Sequence, residues 1–181
     1  MSKLTYSDVK ELIPADKIQT RIRELGRELN ELYNGEEVCV ICVLKGSVMF
    51  AADLVREFNF PVTLEFIRLS SYGSSTTTSG KVHAIDIKLP ILDEKNVLIV
   101  EDIVDTGLTA KFLLEYISSN FNTKSTKFVS LLDKKISRKV ELEPDYYGFE
   151  IDDKFVVGYG LDYDGYFRNL KYVGYINPDI L

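Results

Sequence analysis

The sequence predicts one α/β domain built on a parallel sheet, and three observations support this fold class. The chain has 181 residues, of which 45% are hydrophobic, so it is long and apolar enough for one domain with its own core. Continuous apolar runs at residues 38–44 and 97–100 are typical of strands covered on both faces. Amphipathic helical segments alternate with strand-like segments along the chain, and this order is typical of parallel α/β sheets.

The first helix is predicted over residues 17–33. Asp16 and Gln19 resemble a capping box at its start, and Asn34-Gly35 is expected to end it. Apolar residues recur there at alternating spacings of four and three, which places them on one helical face: Ile18, Ile22, Leu25, Leu29 and Leu32.

The later segments alternate between strands and helices. Besides the two apolar runs, strands are predicted at residues 62–69 and 125–132. A second helix is predicted over residues 48–58, stopping before Pro61, and a third over residues 109–119. The third helix is expected to turn these side chains inward: Phe112, Leu113, Tyr116 and Ile117.

Residues 70–81 are predicted to form a surface loop. Serine or threonine fills eight of the ten positions 70–79, and no core is built from such a composition. A loop of this length in a compact domain is usually functional or disordered.

The bulk composition excludes several function classes. The formal net charge of -6 disfavours general nucleic-acid binding, which needs a broad basic face. No stretch approaches the roughly 18 apolar residues of a membrane span, and the first residues lack the apolar region of a secretory signal. Cys39 and Cys42 are predicted to be buried free thiols on opposite faces of a strand, which suits a reducing cytoplasm.

The strongest chemical signal is the stretch of residues 97–109. An apolar strand leads to Glu101 and Asp102, and a short turn with Gly107 then leads into a helix. Carboxylate oxygens suit sugar hydroxyls or a divalent cation, and the free N–H groups of such a turn suit a phosphomonoester. The pattern therefore predicts a site that holds a ribose phosphate at both ends.

Alternative interpretations of this stretch fit less well. A Walker B strand would need a P-loop, and residues 73–81 have the wrong glycine spacing with Val82 after the lysine. A dinucleotide site would need a third glycine after Gly158 and Gly160, at the start of a helix. A helix cap would explain one of the polar residues and leave the others unexplained.

The stretch closely resembles the phosphoribosyl diphosphate motif of type I phosphoribosyltransferases, an acidic pair followed by Asp-Thr-Gly-x-Thr. The resemblance implies that family's α/β fold: a parallel sheet flanked by helices, with a small hood formed mainly by about residues 150–181 and the N-terminal segment, and a flexible lid at residues 70–81. Further segments resemble the purine branch of the family in the same order along the chain: 44–47, 71–73, 132–135, 154–163 and 166–168.

The resemblance assigns a group of residues to the diphosphate and ribose. Lys45, Gly46, Ser47 and Arg168 would bind pyrophosphate, and the Leu44–Lys45 peptide would be cis. Glu101 and Asp102 would bind the ribose hydroxyls, and with Asp162 they would hold Mg2+. The 5′-phosphate loop would comprise Asp105, Thr106, Gly107, Leu108 and Thr109.

The resemblance also assigns the purine side. Asp105 would be the general base or proton relay, Phe155 would stack on the purine, and Lys134 would donate to its 6-oxo group. The Val156 backbone would meet the N1 side of the purine, the region of Val156 and Asp162 would face its 2-substituent, and Ser71 and Tyr72 would make the lid contact. A core aromatic is the competing interpretation of Phe155.

The implied activity is purine salvage: transfer of a 5-phosphoribosyl group to hypoxanthine or guanine, giving IMP or GMP and pyrophosphate. Two alternatives are a xanthine-preferring enzyme and a regulatory protein of the same fold without turnover. The resemblance also implies a homodimer or homotetramer. Ten of the 21 Phe and Tyr residues lie between Asp145 and Tyr175, which favours a stacking site or subunit contact there.

Overall fold

The computed structural model describes residues 5–71, 82–86 and 88–177. Two short 3-10 turns, Tyr6–Asp8 and Lys135–Ser137, accompany the following strands and helices. In chain order these are β1 (Val9–Ile13), α1 (Ala15–Tyr33), β2 (Val38–Leu44), α2 (Val48–Val55), β3 (Val62–Ser71), β4 (Val82–Asp86), β5 (Asn96–Val104), α3 (Leu108–Asn120), β6 (Ser125–Asp133), β7 (Tyr146–Glu150), β8 (Phe155–Val157) and β9 (Val173–Ile176).

The main sheet has the strand order β4-β3-β2-β5-β6-β7. The five strands from β3 to β7 in this order are mutually parallel, and β4 adds an antiparallel edge. This confirms the predicted fold class. Because the central strands run in one direction, the carboxyl ends of β2, β5 and β6 share one edge of the sheet, where ligands of such sheets bind.

The core lies on both faces of this sheet. Cys42 packs on one side with Ile18 of α1 and Leu54 of α2, and Cys39 packs on the other side with Leu113 of α3. Both thiols are free and buried, as the alternation of a strand predicts. The uninterrupted apolar run of β2 therefore serves two separate apolar layers.

A second sheet has the order β1-β9-β8 and is antiparallel throughout. We call this sheet, together with residues 158–172, the hood. Its own apolar cluster includes Val9, Val157, Phe167 and Ile176. Among the described residues, no helix has the length and hydropathy needed to cross a membrane.

Several local predictions were wrong. Helix α1 begins after Pro14 without a side-chain cap, so Asp16 lies inside the helix and the capping box is absent, and Leu32 is 43% exposed. Helix α2 ends at Val55 rather than at residue 58. In α3, Phe112 and Tyr116 are only half-buried and stack on each other with ring centroids 6.4 Å apart.

The predicted surface loop was wrong at its first two residues. Ser70 and Ser71 still belong to β3, where Ser71 pairs with Val82 of β4. The rest of the predicted lid, residues 72–81 with Tyr72, lies outside the described residues.

A hydrogen-bonded contact fastens the hood to α1 and α2. The Tyr159 hydroxyl donates to Asp53 Oδ2 over 2.5 Å, and Gln19 Nε2 donates to the same oxygen over 2.8 Å. Tyr159 lies between two glycines, and all three residues have positive φ, at 94° for Gly158, 48° for Tyr159 and 103° for Gly160. The contact therefore holds an unusual turn of the hood against the helices of the main domain.

We expect Tyr159→Phe to lower the free energy of unfolding by about 1.5–3 kcal/mol, because the variant removes the donor to a half-buried carboxylate. Urea unfolding at neutral pH measures the change. Tyr33→Phe is the matched control, since the Tyr33 hydroxyl is buried and has no hydrogen-bond partner in the described part of the chain. Equal losses in the two variants would show that the contact with Asp53 contributes nothing specific.

Candidate active site

The acidic pair lies inside β5 rather than beyond its end. Glu101 is paired in register with Ser130 of β6, and the strand continues to Val104. Glu101 is only 6% exposed, and its Oε1 has no hydrogen-bond partner among the described residues. Burial, together with the neighbouring charge of Asp102, raises the pKa of Glu101 well above its usual range.

Asp102 directly follows Glu101, and its Oδ2 faces Gly46. Burial raises the pKa of Asp102 to about 6, although its carboxylate accepts the Ile103 N–H over 2.8 Å and the positive charge of Arg168 acts in the opposite direction. Two adjacent carboxyls that are costly to ionise are typical of a functional site.

The segment of residues 45–47 follows β2 and lies directly against Asp102. Its first peptide, Leu44–Lys45, is cis, as the resemblance implies. A Cβ on Gly46 would lie 1.5 Å from Asp102 Oδ2, so only glycine fits this position. The Ser47 hydroxyl points inward and donates to the Val43 carbonyl over 2.6 Å, which leaves only the Ser47 backbone available to a ligand.

The hood covers this segment from the other side. A Cβ on Gly160 would lie 2.0 Å from the Gly46 carbonyl oxygen. Arg168 Nη1 donates to the Gly160 carbonyl over 2.6 Å, and Arg168 Nη2 forms an ion pair of 2.5 Å with Asp162. The structure therefore brings the predicted pyrophosphate residues and Asp162 together around Asp102.

The segment of residues 105–109, which we call the phosphate loop, connects β5 to α3. Its Asp105 side chain is exposed, and Gly107 adopts φ 80° immediately before the helix begins at Leu108. A Cβ on Gly107 would lie 2.8 Å from side-chain atoms of both Arg138 and Val140. The Leu108 N–H donates to the Thr106 hydroxyl at 3.4 Å. The loop thus presents a tight backbone turn at the carboxyl edge of the sheet.

Arg138 and Asp133 also contact this site, although neither was among the residues predicted from the sequence. The Arg138 guanidinium donates to the Asp105 carbonyl over 3.2 Å and pairs with the carboxylate of Asp133, which is 1% exposed. A charged residue directly after the apolar pair Leu131-Leu132, at the end of β6, was the available signal for Asp133. No local pattern signals Arg138.

The predicted purine residues come from two places in the chain: Lys134 follows β6, and Phe155 and Val156 belong to β8. Lys134 Nζ pairs with Asp153 Oδ1 over 2.7 Å, two residues before Phe155. Phe155 is 40% exposed and meets the Tyr163 ring edge-on, with centroids 5.7 Å apart, so it is not a core aromatic. The backbone of Val156 pairs with Tyr175 in the hood sheet.

The donor set fits magnesium shared with a substrate. No group of three or more His, Cys, Asp or Glu side chains in the described part of the chain is arranged to hold a metal ion alone. Mg2+ is commonly bound by one or two carboxylates together with substrate phosphates and water. The unpartnered buried Oε1 of Glu101 is a hard oxygen ligand of the required kind.

We expect Glu101→Gln to raise the free energy of unfolding of the ligand-free protein by at least about 1 kcal/mol at pH 7.5, because each raised pKa unit costs 1.36 kcal/mol when the group must ionise. Below the pKa that Glu101 has in the unfolded chain, its carboxyl is neutral in both states and costs no stability. As pH rises towards the higher pKa of the folded state, the carboxyl lowers the free energy of unfolding increasingly. The gain should therefore vanish near pH 4. Urea unfolding across this range measures it.

Glu143→Gln is the control for this experiment, since Glu143 is exposed. A Glu101→Gln variant with no more stability than Glu143→Gln at pH 7.5 would contradict the assigned cost of burying Glu101.

Comparisons with known proteins agree with this geometry. Residues 8–164 match the family described as Phosphoribosyl transferase domain. The chain is 44% identical over 176 residues to the Bifunctional protein TilS/HprT of Listeria monocytogenes serotype 4b (strain F2365), covering 97% of this chain and 27% of that longer protein. It therefore spans only about a quarter of this relative's length.

Two other relatives match over nearly their whole length. The hypoxanthine-guanine phosphoribosyltransferase of Bacillus subtilis (strain 168) is 42% identical over 171 residues, which is 94% of either chain. A crystal structure of a hypoxanthine phosphoribosyltransferase from Staphylococcus aureus superposes with a TM-score of 0.91 at 38% identity, covering 99% of this chain and 98% of that one. These comparisons confirm the resemblance carried by the motifs.

Proposed function

This chain belongs to the phosphoribosyl transferase domain family, and on that basis we propose that it acts in purine salvage as a hypoxanthine-guanine phosphoribosyltransferase. The reaction transfers 5-phosphoribosyl from phosphoribosyl diphosphate to N9 of hypoxanthine or guanine. The bond from C1′ to the diphosphate oxygen breaks, the C1′–N9 bond forms, and the purine loses a proton. The products are IMP or GMP and pyrophosphate.

One observation carries this proposal. Burial disfavours ionisation of the Glu101 and Asp102 carboxyls. These carboxyls lie between the phosphate loop, which begins at Asp105, and Gly46, whose lack of a side chain allows close approach to its backbone. A ribose bearing phosphate groups at both C1 and C5 fits this order, with its hydroxyls at the carboxylates.

The departing diphosphate is assigned to the residues around Gly46. Lys45 supplies a positive charge and the backbone of residues 46–47 supplies N–H groups. Arg168 reaches the same place from the hood, where the Gly160 carbonyl orients its guanidinium. Fixed donors aimed at developing negative charge lower the barrier to departure.

Magnesium would be held by Glu101, Asp102 and Asp162 together with phosphate oxygens, and it would neutralise charge on the diphosphate. Glu101 and Asp102 also accept hydrogen bonds from the ribose hydroxyls in this assignment. Burial opposes ionisation of both carboxyls, and a positive charge nearby favours it.

The purine is assigned to the opening between Lys134 and Phe155. Phe155 has an exposed ring that offers a stacking face, and the backbone of Val156 lies beside it. Lys134 donates to a 6-oxo group, which favours hypoxanthine and guanine over adenine because adenine presents an amino donor. Asp105, whose side chain is exposed, accepts or relays the purine proton.

We also place the protein in the cytoplasm as a homodimer or homotetramer, with no nucleic-acid or membrane partner. The acidic net charge of -6 supports the exclusion of nucleic acid. Ser71 and Tyr72 are assigned to a lid that would exclude water during transfer.

The proposal predicts nucleotide formation from hypoxanthine or guanine with phosphoribosyl diphosphate and Mg2+, and little from adenine. Chromatography of reactions with each of hypoxanthine, guanine, xanthine and adenine measures this. Chelation of the metal should abolish product formation. Absence of product from every 6-oxopurine would refute the proposed activity, and a preference for adenine would refute the role of Lys134.

We expect Asp105→Asn to lower kcat by about 10²–10⁴-fold, which is the usual contribution of a general acid or base. The KM for phosphoribosyl diphosphate should change much less, because the phosphate loop's backbone donors remain. Asp16→Asn, an exposed change in α1, is the control and should leave both constants unchanged. An unaltered kcat in Asp105→Asn would remove this residue as the base.

A further inference from the structure

Three successive carbonyls at the start of the phosphate loop are fixed by one short segment, residues 134–139. The Val104 carbonyl accepts the Lys134 N–H over 2.9 Å, and the Thr106 carbonyl accepts the Lys139 N–H over 2.9 Å. Between them, the Asp105 carbonyl accepts Arg138 Nε over 3.2 Å. All three oxygens therefore face the segment of residues 134–139.

The opposite ends of the same peptides face away from that segment. In a trans peptide the N–H points opposite to the preceding carbonyl, so the N–H groups of Asp105, Thr106 and Gly107 point away from Arg138. No acceptor within the described residues takes any of these N–H groups. Successive unpaired N–H groups that end in a left-handed residue, here Gly107, form an anion-binding concavity.

Among the described residues, Arg138 is the one whose side chain donates to these carbonyls. Its Nη2 also lies 3.5 Å from the Val104 carbonyl, so one guanidinium holds two successive peptides. The remaining contacts are with the Leu142 carbonyl and the Asp133 carboxylate. The side chain is 12% exposed.

These contacts commit four of the five N–H donors of Arg138 to acceptors within the protein rather than to a phosphate. Its guanidinium already serves four acceptors: the carbonyls of Val104, Asp105 and Leu142 and the carboxylate of Asp133. Arg138 Cδ also blocks the space beside Gly107. The Asp133 carboxylate is 1% exposed, and its other oxygen has no partner among the described residues. Because a buried charge needs a charged partner, Asp133 holds the Arg138 guanidinium in place.

We propose that Arg138, held by Asp133, is a positioning residue that turns the amides of the phosphate loop towards the 5′-phosphate. This inference rests on the proposed function, because that function places a ribose 5-phosphate group at the loop. Arg138 touches neither the ribose nor the diphosphate in this assignment. Its loss should therefore weaken ligands that carry a 5′-phosphate and spare pyrophosphate.

The test compares Arg138→Met with Arg21→Met. Methionine keeps an unbranched stem beside Gly107 but removes every guanidinium donor. Arg21 is a matched control because it also holds two backbone carbonyls, those of Tyr147 at 2.9 Å and Gly148 at 3.2 Å, far from the loop. Calorimetry with ribose 5-phosphate and, separately, with magnesium pyrophosphate measures the two binding constants.

In Arg138→Met we expect the Kd for ribose 5-phosphate to rise at least about tenfold, with the Kd for magnesium pyrophosphate within about twofold of wild type. Arg21→Met should change neither constant. Arg138→Lys retains the charge but not the forked donors, so it should also weaken ribose 5-phosphate, and it serves where Arg138→Met does not fold.

An unchanged Kd for ribose 5-phosphate in both Arg138 variants would overturn the proposal, and so would an equal loss for both ligands. Turnover by the wild type distinguishes the two levels of inference. Suppose that the wild type makes nucleotide and the Arg138 variants bind ribose 5-phosphate normally. The proposed activity would then stand, and only the positioning role of Arg138 would be refuted.

Discussion

The backbone of Gly46 lies between the Asp102 carboxylate and the turn at Gly160, and neither contact leaves space for a side chain. This contact joins the end of β2, the end of β5 and the hood at one point. The positions of Arg168 and Asp162 depend on this contact. The carbonyl of Gly160 accepts a hydrogen bond from Arg168, and Arg168 in turn pairs with Asp162. The proposed diphosphate site is therefore shaped by close backbone packing at Gly46 and Gly160.

The hood maintains this packing from a distance. Tyr159 adopts positive φ next to Gly160, and its hydroxyl reaches Asp53 on α2, the helix that follows the Gly46 segment. One face of α2 is buried against the main sheet through Phe50 and Leu54. The hood turn therefore hydrogen-bonds to α2, the helix that directly follows the Gly46 segment. The two parts of the chain that form the proposed diphosphate site, the Gly46 segment and the hood turn, are thus both held by α2.

Sequence patterns were sufficient for the parts of the fold that local physics determines. The apolar run of β2, the periodicity of α1 and the acidic pair before the phosphate loop each follow from residues close together in the chain. The extension of β5 to Val104 was missed, because it depends on pairing with β6, where Val104 lies opposite Asp133. Arg138 was missed for a related reason: its acceptors are mainly backbone carbonyls, which every sequence carries.

The charges of the site explain why an acidic chain of net charge -6 suits a diphosphate ligand. Arg168, Lys134 and Arg138 are each already paired with a carboxylate, those of Asp162, Asp153 and Asp133. Among the described residues, Lys45 is the cationic residue of the site without such a partner.

A diphosphate entering this site therefore meets Glu101 and Asp102, whose ionised forms are already disfavoured by burial. Apart from Lys45, the cation assigned to the diphosphate is Arg168, which would exchange Asp162 for phosphate oxygens and leave Asp162 without this partner. Glu101, Asp102 and Asp162 would hold the proposed magnesium, whose positive charge would favour ionised Glu101 and Asp102 and would compensate Asp162 for the loss of Arg168. The acidic lining and the proposed requirement for magnesium follow from the same arrangement of charges.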